Sequence, residues 1–158
     1  MRTLYVEFNS KGFWVYDVVS SSFLKYLIDA AEQLKSQESY EWLGEDLESW
    51  RINIIVSEFG FHLDEDWSQS RINTICELCR TAIKAIHIVG DIPSSELLLD
   101  GHFIDTRSHE IIPAKPIIRF GEAIIDLLTD SLAKPPDGHL WYFNLESDLS
   151  TMKPIKMA

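Results

Sequence analysis

Four stretches of the chain hold residues of the types that do chemistry. Residues 76–79 read CELC, the C-x-x-C spacing of dithiol redox centres and of half a zinc site. An attacking thiol needs a lowered pKa, usually at a helix N-terminus, and a structural zinc needs four ligands. Cys76 and Cys79 fall instead in the middle of an apolar helical pattern, and they are the only two cysteines. Their expected role is to fill core space as buried thiols. Residues 102–110, HFIDTRSHE, offer His102, Asp105, His109 and Glu110, suitable for a metal or a general base. The spacing fits no ligand geometry, however, and along a hairpin successive side chains alternate faces. FHLDED, residues 61–66, groups His62, Asp64 and Asp66 like part of a calcium loop, without the glycine and distal glutamate such loops require. The seven glycines stand singly, so no phosphate-cradling loop is present, and no G-x-S-x-G elbow occurs. A small metal-dependent or other enzyme built on His62, His102 and His109 remains one reading; no cofactor is expected.

The fourth stretch, ESYEWLGEDLESWR at residues 38–51, carries five carboxylates, two tryptophans and one base, Arg51. It belongs to a wider charge imbalance. The net charge is −11, and nine of the 25 acids lie between Glu38 and Asp66 against Arg51 alone. The remaining 129 residues hold sixteen acids and thirteen bases, so the chain is a nearly neutral domain with one acidic segment. Such a field repels nucleic acid and anionic lipid and attracts a basic surface. Read as a helix at about 100° per residue, the stretch places Tyr40, Leu43, Leu47 and Trp50 on a core stripe and Glu45 opposite it. Glu41 and Glu48 flank Glu45, and Trp42 lies among these acids.

Solvation of a surface helix is the simplest use for such residues. Yet no Lys or Arg stands four residues after Glu41, Glu45 or Glu48, so the ordinary stabilising pairs are absent. A second cluster, Asp64, Glu65 and Asp66, runs into Trp67. Tryptophan is a frequent binding hot spot, and acids around it steer a basic partner. The candidate partner-binding residues are therefore Glu41, Trp42, Glu45, Asp46, Glu48, Asp64, Glu65, Asp66 and Trp67.

The elements expected to position these residues are mixed. TLYVEF (3–8) and FWVYDVV (13–19) alternate as a β-hairpin, followed by a helix over residues 20–35 behind a serine cluster able to cap it. RINIIVSEF (51–59) reads as a strand, and residues 68–88 as a helix whose stripe includes Ile72, Ile75, Cys76, Cys79, Ile83 and Ile86. Asp100-Gly101 between apolar runs marks a second hairpin, and EII (110–112) offers a further strand. Pro116 opens a last helix to Ala133, ended by PPDG, before a closing strand in HLWYFNL (139–145). The expectation is one α+β domain over residues 1–148, with an antiparallel or mixed sheet and three to four amphipathic helices packed on it, then a loose tail over 149–158. No apolar run reaches membrane length and MRTLYVEF carries no signal-peptide core, so no membrane partner and a cytoplasmic location are expected.

A small acidic α+β chain with no evident catalytic set, and with EWLGEDLESW followed by HLDEDW, resembles the bacterial toxin-immunity proteins, including those of contact-dependent inhibition systems. The resemblance implies binding to a basic toxin domain, often a nuclease, through acids and aromatics. An acidic adaptor or DNA mimic would use the same surface.

Overall fold

Leu4, Val6 and Phe8 alternate with Tyr5 and Glu7, and this period of two forms β1 (Thr3–Phe8), antiparallel to β2 (Lys11–Tyr16). Asn9 and Ser10 both take positive φ, 51° and 65°, the backbone that a two-residue hairpin turn requires. The computed structural model describes residues 3–56, 61–146 and 150–152. Helix α1 (Asp17–Lys35) starts directly from Tyr16, not from Ser20 as the serine cluster leads one to expect. Asp17, Val18, Val19 and Ser20 are all buried, which no alternating strand could achieve with one face on solvent; Ser20 and Ser22 lie inside the helix and cap nothing.

The acidic stretch forms a short 3-10 turn at Glu38–Tyr40 and then α2 (Leu43–Val56). Arg51 to Val56 is thus helical, which corrects the strand expected over residues 51–59; residues 57–59 lie outside the described residues. The stripe Leu43, Leu47, Trp50 simply continues to Ile54, all buried, while Ile52 is exposed. Tertiary burial at helical spacing outweighs the weak strand preference of the isoleucines.

Ser68 caps α3 (Gln69–Val89), its hydroxyl accepting the Arg71 N–H at 3.3 Å, and Gly90 with φ of 78° ends it. Next come two small ladders. β3 (Ile92–Pro93) pairs with β6 (Ile111–Ile112), and β4 (Leu98–Leu99) with β5 (His102–Phe103) across the Asp100-Gly101 turn, whose φ values are 51° and 82°. The last helix, α4 (Ala114–Leu128), begins before Pro116 and stops short of the expected Ala133, because Thr129 turns back onto Ile125 O and Asp130 takes a φ of 57°. PPDG instead turns the chain into β7 (Leu140–Phe143), with His139 N–H donating to Pro136 O at 3.0 Å. Ser150–Met152 adds β8, a strand where loose tail was expected; residue 149 and residues 153–158 of that tail lie outside the described residues.

The main sheet has the order β1-β2-β7-β8. Its outer pairs are antiparallel and β2 and β7 run parallel, so the sheet is mixed and the molecule is a single small α+β domain. Helix α1 packs against α2, α3 and α4 as well as β2. Edge-to-face contacts among Phe13, Phe23, Phe120 and Phe143 join helices to sheet. Gly121 lets α4 approach closely: a Cβ there would meet the buried Phe23 ring at 2.5 Å. Among the described residues no helix is long and apolar enough to cross a membrane.

Candidate partner-binding site

Helix α2 sets the phase of the acidic face. Burying Leu43, Leu47 and Trp50 leaves Glu45 and Glu48 exposed, with Glu41 exposed just before the helix. Glu45 and Asp46 stand in its first turn, where negative charge also favours the helix itself. That helix-stabilising role does not extend to Glu41, Glu48 or the second acidic cluster. Arg51, the one base of the segment, ion-pairs with Glu32 and, at 3.3 Å, with Asp100. Among the described residues no Lys or Arg pairs with Glu41, Glu45 or Glu48.

The second cluster meets the first. Trp67 is buried, and its indole N–H donates to Asp46, which interacts in turn with Asp64 and Arg71. Arg71 lies over the Trp42 ring at 4.9 Å from its centroid. Asp64 is half-buried and accepts the Asp66 N–H at 2.8 Å, while the exposed Glu65 accepts the Asn9 N–H at 3.2 Å. Two of the nine candidates therefore serve structure. Trp67 is 5% exposed and is no surface anchor, since its ring completes the core beneath Asp46. Asp46 is committed to that indole. Trp42 is half-buried and stacked by Arg71, so only part of its ring is displayed. The exposed set is Glu41, Glu45, Glu48, Glu65 and Asp66.

Desolvation pushes the Asp46 carboxyl above its usual range, reinforced by Asp64 and Glu45 and opposed by Trp67 and Arg71. A folded-state pKa raised above the unfolded value means that ionised Asp46 destabilises the fold at neutral pH, and this penalty fades as pH falls through the raised value. Asp46→Asn is expected to raise the denaturation midpoint at neutral pH and to lose that advantage in acid. A lowered midpoint at neutral pH in denaturant titrations would contradict it.

The other sequence candidates separate. Cys76 and Cys79 are buried and free, and burial raises both thiols, Cys79 far above its usual value. Neither is poised as a nucleophile. A thiol-colour reagent is expected to leave both unreacted in native protein and to titrate both in denaturant; rapid native labelling would contradict this. His62, His102 and His109 are all exposed, and among the described residues no group of three or more His, Cys, Asp or Glu is placed to hold a metal. His109 alone joins a constructed cluster, with Tyr16, Asp17 and Arg107. Spacing gives no signal for that cluster, because Asp17 and Arg107 are 90 residues apart.

A cleft of about 850 Å³ between α1 and α3, lined by Gln33, Gln37, Tyr40, Asn73 and Glu77, opens beside the start of the acidic segment. Compared with family models, curated proteins and solved structures, the chain matches none. Function therefore rests on the site itself.

Proposed function

We propose that this protein is an immunity-type inhibitor that binds and neutralises a basic toxin domain, a nuclease being the expected class, through the face formed by Glu41, Trp42, Glu45, Glu48, Glu65 and Asp66. The observation carrying this reading is that, among the described residues, no Lys or Arg pairs with Glu41, Glu45 or Glu48, while Arg51 is turned to Glu32 and Asp100. A fold selected only for stability would place opposite charges four residues apart on such a helix. Acids on the first turn of α2, joined by the turn at residues 64–66, instead sum into a one-sided field that raises the encounter rate of a cationic surface. The half-buried Trp42 supplies the aromatic contact, already loaded with a cation in the form of Arg71.

On this reading the gene is expected directly downstream of a toxin gene, so a toxin domain encoded immediately upstream is the partner to test. Mixed with this protein, it is expected to elute as one complex in size-exclusion chromatography at low salt. Separate elution would overturn the assignment. A DNA mimic would act through the same acids, and would show itself by capturing a DNA-binding protein while ignoring the upstream toxin domain.

A further inference from the structure

Beyond the carboxyl ends of the parallel strands β2 and β7 lies a pocket of about 370 Å³, lined by Tyr16, Arg107, His109, Tyr142, Leu145 and Glu146 among others. In open α/β sheets ligands bind beyond the carboxyl ends of the parallel strands, and this pocket takes the corresponding place at the parallel pair of the main sheet. Arg107 is fixed there by Asp17: its Nε donates to Oδ1 at 3.1 Å and Oδ2 at 3.0 Å, and one Nη donates to Oδ2 at 2.6 Å. Asp17 is only 5% exposed, at the start of α1. The loop carrying the arginine is held in an unusual backbone, with Arg107 and Ser108 at φ of 49° and 70°. Consecutive non-glycine residues in that region are uncommon, and they persist where surrounding contacts over-determine them, often at ligand sites. Here the Thr106 hydroxyl donates to His109 O at 2.9 Å, and Asp105 Oδ1 accepts the Arg107 N–H at 2.8 Å. The Tyr16 hydroxyl lies 3.4 Å from His109 Nε2.

Asp17 takes the Nε side of the guanidinium. The other Nη has no acceptor among the described residues, so the outer edge of the fork is open to a planar oxyanion, the geometry that suits arginine and not lysine. Charge narrows the class. Asp17 already neutralises Arg107, and Glu146 lines the same wall with Asp105 nearby. A dianion would face net repulsion, whereas a single carboxylate gains the fork with less of it. Leu145 and the tyrosine rings give an apolar wall for the rest of the molecule. We propose that this pocket binds a small monocarboxylate through the outer edge of Arg107, with the Tyr16 hydroxyl and His109 as further hydrogen-bond partners.

The full chain is titrated with benzoate and, separately, with inorganic phosphate, following the His109 imidazole resonances by NMR. Benzoate is expected to shift them saturably in the millimolar range, with phosphate weaker. Arg107→Lys, which keeps the charge and removes the fork, is expected to weaken benzoate roughly tenfold. Tyr16→Phe, which deletes one hydroxyl, is expected to weaken it severalfold and decides the matter if Arg107→Lys unfolds. No saturable benzoate shift, phosphate binding as tight as benzoate, or undiminished binding by the folded variants overturns the proposal.

Discussion

Replacing Glu41, Glu45 and Glu48 together by lysine is expected to weaken the toxin-domain complex on the order of a thousandfold while leaving the fold intact. All three side chains are exposed, and their replacement breaks no ion pair among the described residues. Each reversal removes an attraction and installs a repulsion against a basic partner. Because the groups lie at solvent, much of the loss belongs to the association rate and shrinks as salt screens the field over about 10 Å at 0.1 M. Calorimetric titration at low and high salt reads the affinity loss and its salt dependence, stopped-flow mixing reads the association rate, and far-UV circular dichroism is the control for folding. Affinity within tenfold of the parent at low salt would show that the acids only solvate α2.

The second large effect is on stability. Trp50→Ala is expected to cost about 3–5 kcal/mol, since a fully buried indole leaves a cavity that its neighbours cannot fill. Trp50 is 1% exposed and packs edge-on against Phe61 at 5.7 Å between ring centroids. A domain of ordinary stability has roughly 5–15 kcal/mol in all, so much of it would be lost. Trp42→Ala, eight positions earlier, removes a half-buried ring and is expected to harm partner binding far more than stability. Chemical denaturation of both variants tests the contrast. Equal losses of stability would mean that Trp42 is a core residue in the same sense as Trp50.

That division of labour was legible in the sequence because it depends on helical phase alone. Tyr40, Leu43, Leu47 and Trp50 lie at three- and four-residue spacing, and a helix that buries one of them buries the rest. The Asp100-Gly101 turn was legible because few residue pairs adopt positive φ in succession, and the first hairpin because two alternating runs flank a short polar stretch. Arg51 to Val56 misled because a short run rich in isoleucine satisfies strand and helix alike until its neighbours are known. The start of α1 was hidden by Val18 and Val19, which extend the alternation of β2 while belonging to a helix.

Trp67 marks the limit for the site. A tryptophan after three acids looks displayed in sequence, but its burial is set by packing beneath Asp46 and by the indole bond to that carboxylate. The Arg71 stack on Trp42 and the fork between Asp17 and Arg107 share that character. They join residues distant along the chain, and no local periodicity encodes such contacts.

In the proposed role the acidic face neutralises a toxin by direct contact. Growth of cells expressing the upstream toxin domain, with this protein or its Glu41, Glu45, Glu48 lysine variant supplied alongside, tests it most directly. Survival with the parent and growth arrest with the equally soluble variant are expected. Arrest in the presence of abundant, folded parent protein, or equal survival with both, would contradict it.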